Sequence, residues 1–231
     1  MTMKKLLSLG ILAGAFLTLT SCDDNDDVRI DNPSMAHAFV SSNTSGKITM
    51  MDITDMSGIT VREAAVNSTD ADGIYYSGDR DEILQASRTN NRIEAYNNVM
   101  GEGQSMNLWA SSSSDFMNAR GLTVSGDRVV VAQDAMDNDP TSMNRLLVYE
   151  RTSTGFTLRN TYDVDFNLWG IRAEGENLWA IVDNSSDLVV FNNFFTNGDG
   201  MIMPTKRVTV EGIARTHGLW YSMRDNVMVL T

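Results

Sequence analysis

Four glycines keep time in this chain, and their rhythm limits the fold more than any other feature. Gly73, Gly121, Gly170 and Gly218 stand 48, 49 and 48 residues apart. Each opens the same phrase: glycine, an apolar residue, three variable positions, and then, in three of the four copies, Gly-Asp or Gly-Glu (Gly78-Asp79, Gly126-Asp127, Gly175-Glu176). A second apolar run follows each phrase: Ile83-Leu84, Val129-Val130-Val131, Leu178-Trp179-Ala180-Ile181-Val182 and Val227-Met228-Val229-Leu230. A third run comes after a polar turn, as in Asn91 to Tyr96, Asn144 to Tyr149 and Ser186 to Phe191, and a weaker fourth closes the unit, as in Gly155 to Tyr162 and Lys206 to Val210. Short runs rich in β-branched and aromatic residues are strands, and the Asn, Ser, Asp and Gly clusters between them are hairpin turns. With three prolines and no helical stripe, the chain is predicted to be all-β.

Four short antiparallel strands, here A to D, repeating every 40 to 50 residues make the blades of a β-propeller. Before Gly73 a partial copy supplies B (38–42), C (46–51) and D (59–64), and after Gly218 only A and B precede Thr231. Joining the two ends would give one blade two B strands. The expectation is therefore a C-terminally truncated ring of six to eight blades, with a four- or five-bladed closure as the alternative. The glycine phrase, followed by Leu178-Trp179-Ala180-Ile181-Val182-Asp183-Asn184 and the strand Leu188-Val189-Val190-Phe191, resembles blades of the NHL and YncE-like propeller superfamily over residues 36–231. That resemblance implies the fold and no single chemistry, because the superfamily holds hydrolases, lyases and binding platforms.

The N-terminus carries a separate signal. Lys4 and Lys5 precede an apolar stretch from Leu6 to Leu19, and Leu19-Thr20-Ser21-Cys22 follows. This is the order of a secretory leader, and the last four residues resemble a bacterial lipobox, which implies cleavage before Cys22 and a diacylglycerol on its sulfur. Cys22 is the only cysteine, so it has no disulfide partner within the chain. Asp23-Asp24-Asn25-Asp26-Asp27 reads as a solvated tether and also resembles the acidic signal that sends lipoproteins to the outer face of the outer membrane. The predicted organisation is a leader (1–21), a tether (22–35) and a propeller (36–231), held at the cell surface by lipid. Without the leader, which holds two lysines and no acid, 16 basic residues face 30 acidic ones, a net of −14. Such a charge repels phosphate backbones, so nucleic acid is not an expected partner.

In a propeller the D-to-A and B-to-C loops share one face, and the residues just before each rhythmic glycine ring the mouth of the axial channel. They are Asp70 and Asp72, Asn118 and Arg120, Asn167 and Trp169, and Arg215 and His217. A few convergent polar groups beside an aromatic wall suit a binding pocket, although Asp and Asn also serve as turn residues. Arg88-Thr89-Asn90, Asp134 to Asn144, and Asp183-Asn184-Ser185 add B-to-C loops to the same face. Asp134 to Asp139 is acidic but lacks the Gly and distal Glu of an EF-hand loop. One mouth histidine, no second cysteine and no Gly-x-Ser-x-Gly elbow give no catalytic machinery. The sequence is thus read as a binding module for a small molecule, glycan or envelope protein, not an enzyme, with no cofactor. The alternative is a metal-dependent hydrolase resembling propeller lactonases, with Asp72, Asn118 and Asn167 as oxygen ligands. Trp109, Trp179 and Trp220 are assigned to packing, and the fifteen methionines to filling gaps between blades.

Overall fold

The computed structural model describes residues 35–101, 106–222 and 224–231; the leader, Cys22 and the tether up to residue 34 lie outside them. Apart from one 3-10 turn, Phe194–Thr196, the regular elements among the described residues are strands. They form five sheets in chain order. The first holds β1 (His37–Val40), β2 (Lys47–Asp52) and β3 (Thr60–Ala65). The second holds β4 (Ala71–Ser77), β5 (Glu82–Ser87), β6 (Arg92–Asn97) and β7 (Asn107–Ser111). The third is built from β8 (Ala119–Ser125), β9 (Arg128–Gln133), β10 (Arg145–Thr152) and β11 (Gly155–Asp163). In the fourth are β12 (Leu168–Glu174), β13 (Asn177–Val182), β14 (Asp187–Phe191) and β16 (Lys206–Thr209); the fifth is the hairpin of β17 (Leu219–Ser222) and β18 (Val227–Leu230). Neighbouring strands in these meanders pair antiparallel, as the A-to-D reading requires, and the first sheet holds only B, C and D.

One element was not anticipated. Between β14 and β16 the chain leaves its sheet, and β15 (Gly200–Met201) pairs in parallel with β11 of the preceding blade. Phe194 and Phe195 are buried in this excursion, and Phe194 meets Tyr162 edge to face at 5.0 Å. Among the described residues no other unit has a counterpart, so the repeat gave no signal for it.

The core lies between the sheets. Each strand shows successive side chains to opposite faces, and here both faces are covered. Along β9, Val129 and Val131 enter the cluster shared with the second blade, whereas Val130 and Ala132 enter the cluster shared with the fourth. Along β13, Leu178, Ala180 and Val182 face the third blade, and Trp179 and Ile181 face the terminal hairpin. Burial on both faces is why these B strands read as unbroken apolar runs and not as alternations.

Three of the four rhythmic glycines stand where inner strands touch; a Cβ on the fourth, Gly218, would meet the Thr231 side chain instead. A Cβ placed on Gly73 would lie 2.5 Å from the Leu122 nitrogen, and one on Gly121 would lie 2.7 Å from the Trp169 carbonyl oxygen. A Cβ on Gly170 would collide with the carbonyl oxygen of His217. Only a residue without a side chain lets one inner strand approach the next this closely.

The methionines depart from expectation. Among the described residues only Met50 and Met106 are buried, whereas Met35, Met56, Met100, Met117, Met143, Met201 and Met203 are exposed. Most of the described methionines therefore do not fill gaps between blades.

Candidate functional site

At the end of the sheets where the sequence places the mouth, one defect repeats in every complete inner strand. In β4 the register with β5 skips from Ala71 to Ile74, in β8 it skips from Ala119 to Gly121, and in β12 from Leu168 to Ile171. The skipped residues include Asp72, Arg120 and Trp169. A bulge frees a residue from the ladder and re-aims its side chain. Here it presents the residue before each glycine at one end of the sheet while the glycine packs on the next inner strand.

These side chains form one connected chain across four blades. Arg88 Nη1 donates to Asp72 Oδ2 at 3.2 Å and its Nε lies 3.5 Å from Asp70. Arg120 Nη1 donates to the same Asp72 oxygen at 3.2 Å, which ties the second blade to the third. The Arg120 guanidinium stands 4.3 Å from the centre of the Trp169 ring, and the His217 imidazole stacks on that indole at 3.9 Å and 13°. Two groups so close to one ring centre would overlap on a single face, so Arg120 and His217 enclose the indole between them. The chain ends at Asp183, which accepts from Arg215 Nε at 3.2 Å and lies 3.8 Å from His217 Nε2.

A simple rule underlies the charges. The bulge residue faces the residue that follows strand B of its own blade: Asp72 meets Arg88 in the second blade, and Arg120 approaches Asp134 at 3.9 Å in the third. The two pairs occupy the same positions with the signs exchanged, the first hydrogen-bonded at 3.2 Å and the second a looser approach. In the fourth blade the bulge residue is the uncharged Trp169, and Asp183 draws its partners from the following connection instead: Arg215 at 3.2 Å and the His217 imidazole at 3.8 Å. Asp134 is buried, and its carboxyl is pushed above the ordinary carboxylate range by desolvation; the neighbouring Asp183 adds to the rise, while the Leu168 N–H and Arg120 oppose it.

All eight residues read from the sequence lie at this end. Asp70, Asp72, Arg120, Trp169, Arg215 and His217 belong to the connected chain. Asn118 and Asn167 stand beside it with fixed partners: Asn118 Nδ2 donates to the Asp134 carbonyl at 3.0 Å, and Asn167 Oδ1 accepts from Asn144 at 3.2 Å. The three residues of the hydrolase alternative are thus engaged with protein groups, Asp72 by two arginines. Among the described residues no three His, Cys, Asp or Glu side chains converge as a metal-holding group. The acidic loop after β9 is ordered by its own turns: Asp139 Oδ1 accepts from the Thr141 N–H at 2.9 Å and its hydroxyl at 2.7 Å. Arg88, Asp134 and Asp183 were visible in the sequence as loop residues, but not as the partners that neutralise the ring. Their shared position, one residue past strand B, was the available signal.

Blade-like sheets side by side, inner strands in glycine contact and a polar ring at one end define a β-propeller-like protein. No family model matches the chain, and no curated protein matches it. Solved structures do. A nidogen/laminin complex aligns at 10% identity with a TM-score of 0.51, over 79% of this chain and 62% of that one. A functionally unknown protein from Desulfotomaculum acetoxidans aligns at 13% identity and a TM-score of 0.55, over 85% and 60%. Hydrazine synthase of Kuenenia stuttgartiensis aligns at 13% and 0.55, over 81% and 49%. The chain thus spans about half to three-fifths of the structures it matches, and at this identity the likeness concerns the fold alone.

Proposed function

We propose that this protein is a surface lipoprotein of the cell envelope, held by lipid on Cys22, whose propeller mouth binds a ligand or partner and performs no catalysis. The observation that carries the reading is the connected chain Arg88, Asp72, Arg120, Trp169, His217, Asp183, Arg215. Its members come from four blades and are held in place by one another. A ligand meeting them therefore costs little ordering of side chains, which is the condition for useful affinity at a polar surface.

The NHL and YncE-like affiliation and a ring of six to eight four-stranded blades belong to the same proposal. Both faces of the terminal hairpin favour a larger ring: Leu219, Tyr221, Met228 and Leu230 pack on the fourth blade, while Trp220, Val227 and Val229 occupy the opposite face. A sheet apolar on both sides fits between two others.

The test uses the full-length protein expressed with its leader in a Gram-negative host. Labelled fatty acid is expected in the wild type and absent from Cys22→Ser, with wild-type material accessible to external protease. A thermal-shift panel of small molecules, oligosaccharides and peptides is expected to yield at least one stabilising ligand whose effect is lost in Arg120→Gln. Ligand stabilisation that survives Arg120→Gln and Trp169→Ala contradicts binding at the mouth, and label retained in Cys22→Ser contradicts the anchor.

A further inference from the structure

The geometry points to a polypeptide as the partner of the mouth, recognised through an apolar side chain lying next to an acidic one. The inference rests on the mouth being a binding surface and adds what that surface selects. Three observations carry it.

First, the aromatic wall is already occupied. With Arg120 on one face of the Trp169 indole and His217 on the other, neither face is free to take a sugar ring. Stacking on an open aromatic face is the cheapest way for a protein to hold a carbohydrate, and Trp169 does not offer it.

Second, the mouth holds an apolar pair placed deliberately. Gln133, buried at the end of β9, accepts from the Met117 N–H through its amide oxygen at 2.9 Å and donates through its amide nitrogen to the Met143 carbonyl at 2.7 Å. One side-chain amide thereby fixes two loops, the D-to-A connection before β8 and the B-to-C connection before β10, side by side. Each loop presents a methionine, 38% exposed at Met117 and 37% at Met143. Flexible thioethers at a surface are an adaptable apolar contact for side chains of varied shape. Asn144, next to Met143, reaches Asn167 at 3.2 Å, so this apolar patch adjoins the Trp169 strand.

Third, the charge on offer is a half-exposed cation. Arg215 has a side chain 51% exposed; the Asp183 carboxylate engages its Nε, and its Cζ lies 5.7 Å from the centre of the Trp169 ring. A carboxylate on the partner can pair with the exposed part of that side chain through a charge-assisted hydrogen bond. An apolar patch and a half-exposed arginine on one face match a peptide with an apolar residue close to Asp or Glu. Neither feature suits a neutral glycan.

The test displays a random dodecapeptide library to the full-length lipidated protein in detergent, alongside a panel of soluble oligosaccharides. Enriched peptides are expected to pair an apolar residue with a nearby acid and to bind the double variant Met117→Ser/Met143→Ser about tenfold more weakly, the scale of losing one good apolar anchor. In Arg215→Gln the enriched peptides are expected to lose the acidic preference and keep the apolar one. Both changes fall on exposed side chains, and unchanged far-UV spectra exclude misfolding as the cause. Failure to enrich any peptide, or enriched peptides that bind the double variant equally well, overturns the inference. Oligosaccharide binding abolished by Arg120→Gln would overturn it too, while leaving the mouth as the binding surface. Peptide binding that survives every mouth change would overturn both.

Discussion

At the scale of single residues, the repeat uses glycines of two kinds, and the structure separates their roles. Gly73 has no room for a Cβ, because the next inner strand lies against it, whereas Gly175 has open space around it and a φ of +57° in its turn. Gly73→Ala forces backbone apart and is expected to cost roughly 3 kcal/mol or more. Gly175→Ala pays only the left-handed backbone penalty of about 1–2 kcal/mol. Urea unfolding of the two variants measures the difference, and equal losses would mean that the inner strands do not meet as described. The spacing of these glycines was legible because close strand approach leaves no other choice of residue. The role of Trp169 was not. Its place at the mouth followed from register, but that its two faces are covered depends on Arg120 and His217, 49 and 48 residues away, whose directions no local pattern encodes.

At the scale of strands and hairpins, ion pairs of two grades join neighbouring blades. Arg80 pairs with Asp127 at 3.0 Å and Arg128 with Glu176 at 2.6 Å, each A-to-B hairpin reaching the next. The ladder stops at the fourth blade, where Asn177 replaces the arginine and the matching position in the fifth carries Arg224 in place of an acid. The hydrogen bond from Arg128 holds the Glu176 carboxyl below its ordinary 4.5. A carboxyl lowered in the folded state adds stability above its unfolded value and loses it as pH falls through the folded one. The stability gap between wild type and Glu176→Gln is therefore expected to close as pH drops below 4.5. With the Glu176 side chain half-exposed, that gap stays under about 1 kcal/mol at neutral pH; chemical denaturation across a pH series reads it. The second grade is buried. Glu82, 2% exposed, takes both Arg151 amino groups and the Trp109 Nε1–H, joining β5 to β10 of the next blade. Glu82→Gln strands a buried guanidinium and is expected to cost about 3–5 kcal/mol, with Glu82→Leu/Arg151→Met recovering most of it. Denaturation midpoints for the three proteins decide the point, and a loss under 1 kcal/mol would contradict a desolvated pair. Charge alternation on the hairpins could be read from the repeat. The Glu82–Arg151 clamp links positions that do not correspond between repeats, and so left no periodic trace.

For the whole molecule, the order of blades follows from the repeat, and the stability follows from the interfaces between them. Four apolar clusters fill the four gaps between five successive sheets, so each blade is stable only through its neighbours. The outermost faces carry apolar groups too, with Val61 61%, Val40 46% and Val227 44% exposed. The described unit is expected to self-associate as concentration rises, and Trp220→Ser/Val229→Thr to reduce that association in sedimentation experiments. The excursion through β15 marks the limit of sequence reading at this scale, since an element that occurs once has no repeat to announce it. The side-by-side order of the blades is tested most directly by short bis-maleimide cross-linking of cysteine pairs in a Cys22→Ser background, read by peptide mass spectrometry. Pairs at 80 and 127 and at 128 and 176 are predicted to cross-link in the folded protein, and the pair at 80 and 176, separated by a whole blade, is predicted not to. Cross-linking of 80 with 176, or none between the adjacent pairs, would contradict blades laid side by side in chain order.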